Sequence, residues 1–134
     1  EFSAFLGEKS FINTSQGQIP TGPFSQGVVI ENYVHCSGVR PIDPLTQRLV
    51  EGEFPQRVRQ CLENLRVIVE VAGTSLKKAY TFVAYIKEIE KLSLVEKIFT
   101  EYDLVSKDIA LEAVIIDDLN EGHDIEISCS AYLK

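Results

Sequence analysis

Apolar spacing along this chain predicts an α+β fold, a mixed β-sheet with two helices packed on one face. Three observations predict it. Phe54, Val58, Cys61, Leu65, Ile68 and Ala72 recur at three- and four-residue intervals, the period of a helix with one apolar stripe. Asp124–Leu133 alternates strictly: Ile125, Ile127, Cys129, Ala131 and Leu133 face one way and Glu126, Ser128, Ser130 and Tyr132 the other. The full order reads β-β-β-α-β-α-β-β, which lacks strict strand–helix alternation and leaves the helices together on one side of the sheet.

Residues 1–9 carry no pattern and read as disordered, with Glu1-Phe2-Ser3 a processing product or cloning remnant; all of 1–134 reads as one domain. Ser10–Thr14 reads as an edge strand and Ser15–Pro23 as a polar connection. Gly27–Ile30 and Tyr33–Ser37 read as a hairpin turned at Glu31-Asn32, where asparagine tolerates the left-handed backbone of a tight turn. Pro41–Pro44 reads as a turn and Arg48–Val50 as a short third strand. The helix Phe54–Ala72 has Pro55 in its first turn and Gly73 at its end. Arg59–Glu63 and Arg66–Glu70 are i,i+4 pairs on its wet face.

Ala79–Glu88 follows as a strand, with Tyr80, Phe82, Ala84 and Ile86 on one face and Thr81, Val83, Tyr85 and Lys87 on the other. Apolar residues on both faces predict a strand covered on both sides. Helices cover one side, so a second copy of the chain is the expected cover of the other. Ser93–Tyr102 reads as a second helix opened by a Ser93/Glu96 capping box, Ile109–Ile116 as a strand, and Asp117–His123 as an acidic loop.

At 134 residues the chain can bury roughly two-thirds of its surface without staples. A net charge of −7 and scattered lysines and arginines speak against nucleic-acid binding. No apolar run approaches the ~20 residues of a membrane span. Three cysteines without a CxxC pair predict free thiols in a reducing compartment, the cytoplasm or a mitochondrion.

The candidate pocket lies in Thr21–Asp43. Gly22–Gly27 leads into the hairpin and Ser37-Gly38 leads out, so pairing sets Phe24 beside Ser37-Gly38. Glycine there lets a ligand approach the backbone. Arg40 follows directly: either a fork for a carboxylate or a surface arginine in a turn. Glu126, flanked by two isoleucines, either meets solvent or looks into a polar pocket as an acid–base group. His35 and Cys36 point to opposite faces of a strand and cannot share one ion. Asp117, Asp118, Glu121, His123 and Asp124 fit no EF-hand spacing and read as a solvated loop. No metal and no cofactor are expected.

The segments GPFSQG (22–27), CSGVRPID (36–43), LENLRVIVEVAG (62–73) and IEISCSAYLK (125–134) resemble the RidA family, also known as YjgF/YER057c/UK114 and as L-PSP endoribonucleases or translation inhibitors. The resemblance runs from about Phe11 onward. It implies a chorismate-mutase-like fold and a homotrimer with pockets in the clefts between subunits. It implies hydrolysis of 2-imino or enamine acids, such as 2-iminobutanoate and 2-iminopropanoate, to 2-keto acids and ammonia. In that family an arginine grips the substrate carboxylate, a glutamate acts through water and an aromatic residue walls the pocket. Carried over, the catalytic position is Glu126, and Phe24, Ser37, Gly38, Val39 and Arg40 are the substrate-binding positions. The arginine's segment, P-x-R-x-x-V-E-V, reads here as SKDIALEA, with Asp108, Ile109 or Leu111 in its place. Arg40 or Lys107 is then the available cation for a small carboxylate. A non-catalytic ligand-binding or chaperone-like trimer, and an endoribonuclease or translation inhibitor, stand as the other readings.

Overall fold

The computed structural model describes residues 9–20, 22–119 and 121–134; the expectations for residues 1–8 lie outside these. In chain order the elements are β1 (Lys9–Ile12), β2 (Gly27–Ile30), β3 (Tyr33–Val39), β4 (Ile42–Asp43), β5 (Arg48–Leu49), α1 (Phe54–Val71), β6 (Ala79–Ile86), α2 (Leu92–Glu101), β7 (Ala110–Ile115) and β8 (Ile125–Tyr132). Six strands form one sheet in the order β1-β2-β3-β8-β6-β7. Every neighbouring pair is antiparallel except β6–β7, which makes the sheet mixed.

Both helices lie on one face, as the apolar stripes require. Val58, Cys61, Leu65 and Ile68 of α1 are buried against Cys36, Ile127, Cys129 and Ala131 of the sheet. The edge of Phe82 on β6 meets Phe99 of α2, with ring centres 5.0 Å apart, which pins the second helix to the sheet. Gly73, at φ 100°, closes α1: its N–H and that of Thr74 reach back to Glu70 and Val69 carbonyls at 3.0 Å each. The alternation expected of the last strand is observed, with Ile125, Ile127, Cys129 and Ala131 buried.

Beyond β6 the pattern departs from strict alternation. A bulge between Ala79 and Thr81 shifts the register, so Tyr80 does not share a face with Phe82. It joins Tyr33 and Tyr132 on the open side of the sheet, with ring centres 5.2–6.2 Å apart. Thr81, Val83 and Tyr85 are only half-buried there. This second face, which also carries His35 and Ser130, has no layer over it among the described residues.

Four further details differ from the sequence reading. The left-handed hairpin residue is Glu31 (φ 53°), whereas Asn32 accepts a hydrogen bond from Leu133 N on its carbonyl at 2.9 Å. Ile42-Asp43 is a strand, paired with Arg48-Leu49 in a separate two-stranded ribbon, so the latter does not extend the main sheet. A 3₁₀ turn at Ile89–Lys91 runs into α2; Ser93 therefore lies inside the helix, and its hydroxyl donates back to Glu90 O at 3.5 Å rather than capping. Arg59 forks onto Glu101 of α2 at 2.9 and 3.0 Å instead of Glu63, while Arg66 bridges Glu63 and Glu70.

Candidate ligand cleft

Where β3 leaves the sheet, a cleft of about 880 Å³ opens beside β8 and the β4–β5 ribbon. Phe24, Ser25, Ser37, Gly38, Arg40 and Glu126 all line it. Antiparallel pairing brings the two ends of the hairpin together as expected: Ser37 N donates to Gln26 O and the Ser37 hydroxyl to Ser25 O, both at 2.9 Å. Phe24 stands at the mouth, 71% exposed. Val39 does not belong to this set. The register shift between Cys36 and Val39 breaks the alternation and turns its side chain into the core, where it is buried.

Glu126 enters the cleft from the open face of β8, and Gly38 makes room for it. A Cβ at position 38 would sit 2.3 Å from Glu126 Oε2 and 2.7 Å from its Cδ. The requirement at Gly38 is thus space above the backbone, next to the register shift between Cys36 and Val39. Arg40 Nε donates to Glu126 Oε1 at 3.0 Å, and Nη1 donates to the carbonyl of Leu119. Among the described residues nothing accepts from Nη2, which leaves one edge of the fork for an anion.

Helix α1 fixes this arrangement from below. The buried Asn64 amide donates to Arg40 O and Ile42 O, both at 2.9 Å, so it ties the end of β3 to the helix. Arg57 grips Asp124 through Nε (3.0 Å) and Nη2 (2.6 Å), anchoring the start of β8 two residues before Glu126. That bond raises the pKa of Arg57 above its ordinary value, with burial opposing it. The nearby Cys61 thiol is pushed well up, chiefly by burial.

Three glutamines that sequence reasoning passed over hold the outer wall, Gln18 and Gln47 lining the cleft and Gln26 bracing it from behind. The buried Gln26 accepts from Thr14 N at 2.7 Å and donates to Thr14 O and Gln18 O at 3.0 and 2.8 Å. Gln18 Oε1 accepts from Arg40 N at 2.9 Å. Gln47, at φ 58°, accepts from Ile19 N and donates to Gly17 O. Their signal in the sequence is weak: amides in a polar, glycine-containing connection, where glutamine has no helical or strand role to fill.

His123 is the larger correction. It was expected on a solvated loop, yet it is 6% exposed and lines the cleft. Burial first, and then Arg40, hold its pKa below the ordinary 6.5. Asp124 of the same loop is taken up by Arg57. Among the described residues, no group of three or more His, Cys, Asp or Glu side chains is placed to hold a metal.

At the position of the missing arginine, Asp108 is exposed, and Ile109 and Leu111 pack partly buried against the core. None supplies a cation. In the sheet register Ala110 lies beside Thr81, whereas Glu126 lies beside Tyr85. Lys107 therefore sits at the far end of β6 from Glu126 within one chain, and Arg40 is the cation that meets the acid.

A half-covered sheet with an acid and a guanidinium in a cleft at the exit of its hairpin defines the class, and comparison with known proteins agrees. The Endoribonuclease L-PSP family model matches residues 15–133. The chain belongs to this family, the RidA/YjgF group. A RutC family protein of Pyrococcus horikoshii is 35% identical over 92% of this chain and 98% of its own length. The crystal structure of RidA from an Antarctic Psychrobacter superposes with a TM-score of 0.85 at 30% identity, covering 92% of this chain and 98% of that one. The bovine 2-iminobutanoate/2-iminopropanoate deaminase is 26% identical over 92% of this chain and 89% of its own. No helix among the described residues is long and apolar enough to cross a membrane.

Proposed function

We propose that the chain forms a homotrimer whose clefts hydrolyse small 2-imino or enamine acids to 2-keto acids and ammonia. The observation that carries this reading is the Glu126 carboxylate held in a polar cleft, over a glycine cleared to receive it and 3.0 Å from Arg40. Arg40 Nη2 takes a substrate carboxylate oxygen, and Phe24 covers the carbon chain. Ser37 and Gly38 form the floor. Glu126 takes a proton from water as the water oxygen bonds to the imine carbon. The nitrogen gains that proton to give a carbinolamine; the hydroxyl proton then passes to the nitrogen, the C=O bond forms as the C–N bond breaks, and ammonia leaves with the 2-keto acid. The bovine relative's name supports this reaction class. The trimer is supported by the uncovered face, where Tyr33, Tyr80, Val83, Tyr85 and Tyr132 gather without a layer over them among the described residues. Three buried free thiols suit a reducing compartment, the cytoplasm or a mitochondrial matrix.

A second reading, a trimer that binds small carboxylates without turnover, is favoured by the lack of a cation at positions 108, 109 and 111. One assay separates them. A threonine dehydratase releases the enamine and imine of 2-ketobutyrate, and the purified chain is added at increasing concentration. Faster keto-acid release, abolished by Glu126→Gln, supports the hydrolase. Unchanged release together with carboxylate binding supports the second reading, and absence of both refutes the two together. The net charge of −7 speaks against RNA cleavage.

A further inference from the structure

The chain has two histidines, and their surroundings differ. His35 is exposed on the open face with Nδ1 2.8 Å from Ser130 Oγ. His123 is buried, and its Nδ1 has no hydrogen-bond partner among the described residues. Two successive left-handed residues, Glu121 at φ 53° and Gly122 at φ 77°, turn the chain immediately before it. Glutamate adopts that conformation reluctantly. The loop therefore holds an unfavourable backbone while one nitrogen of the ring it buries finds nothing to bond among the described residues.

Buried polar atoms are almost always paired, so an orphan calls for a partner from outside the chain. His123 borders the cleft together with Arg40, Glu121 and Glu126, and the cleft is where a partner can arrive. The ring is neutral near pH 7, since burial and then Arg40 disfavour the imidazolium, while Glu121, Asp124 and Glu126 only partly oppose them. A neutral imidazole offers one donor and one acceptor, and a half-turn about Cβ–Cγ presents either nitrogen.

We propose that His123 is a specificity-determining residue of the cleft, hydrogen-bonding a second polar group of the small acid whose carboxylate sits on Arg40. The cleft then prefers 2-keto, 2-imino or 2-hydroxy acids over plain aliphatic acids of the same length. The inference rests on the reading of the cleft as a small-carboxylate site, with or without turnover.

The test uses 2-ketobutyrate and butyrate as probes of the full-length, ¹⁵N-labelled protein. In NMR titration 2-ketobutyrate should move a ring nitrogen of His123 and leave His35 as the internal reference. It should bind about tenfold tighter than butyrate, the worth of one hydrogen bond. His123→Leu should erase that preference while butyrate binds as before, and His123→Gln, which keeps a donor and an acceptor, should restore most of it. If both probes move the Arg40 Nε signal while His123 stays still and His123→Leu binds both acids unchanged, this inference falls and the carboxylate site survives. If neither Arg40 nor His123 responds to either acid, the inference and the reading beneath it fall together. Should His123→Leu not fold, the wild-type ring shift and the keto-acid preference decide the matter, since both are required.

Discussion

Replacing Gly38 by alanine tests the cleft at its tightest point. The new Cβ would lie 2.3 Å from Oε2, 2.7 Å from Cδ and 2.9 Å from Cγ of Glu126. All three are side-chain atoms, so the glutamate must swing away while the strands stay in place. Swinging away breaks the 3.0 Å bond to Arg40, between side chains 23% and 24% exposed. Such a pair lies between an exposed salt bridge, about 0.2–1 kcal/mol, and a charge-assisted hydrogen bond, about 1.5–3 kcal/mol. We take the loss as about 1–2 kcal/mol. Gly38 does not sit in the left-handed region, so alanine also stabilises by about 0.4–1 kcal/mol through the unfolded chain. The net cost of roughly 0–1.5 kcal/mol corresponds to a fall in Tm of no more than several degrees. Function should suffer more, because a displacement of about 1 Å at a reacting group costs on the order of 100-fold in rate. Thermal melts beside the dehydratase-linked assay, with 2-ketobutyrate titration as the binding readout, give both numbers. A Gly38→Ala protein that binds and turns over as the parent does would falsify the placement of Glu126.

Truncating Phe99 to alanine removes the buried ring that meets Phe82 and should cost about 3–5 kcal/mol in urea unfolding. Val83→Asp puts a charge in the middle of the uncovered face; sedimentation should show three copies for the parent and one for the variant, with the circular dichroism unchanged. His123 carries a pH signature whose sign follows from its lowered pKa. As pH falls below 6.5 the unfolded chain takes the proton first, so stability declines from there until the folded pKa is passed, with no contribution above 6.5. His123→Leu should flatten that limb of the plot of Tm against pH.

The parts of the fold that could be read in advance are those where one period governs a whole element. Ile125 to Ala131 alternate because one face of β8 is buried along its length, and the stripe of α1 follows the same logic. Tyr80 was misplaced because a bulge adds one residue without disturbing the apparent alternation of the sequence around it. Arg59 chose a partner 42 residues away over one four residues away, which depends on how α1 and α2 lie together and leaves no local mark. The site divides in the same way. Phe24 beside Ser37-Gly38 follows from hairpin pairing, but the meeting of Arg40 with Glu126 spans 86 residues and exists only through the β3–β8 register. His123 was hidden by its acidic neighbours, whose charge says solvent while the turn at Glu121-Gly122 says inward.

The glutamine-built wall has a consequence for how the cleft behaves across conditions. Its ties at Gln18, Gln26 and Gln47 join amides to backbone groups, and neither kind of partner gains or loses a proton in ordinary buffers. Acidification can therefore act on the charged groups of the cleft while these ties stay in place.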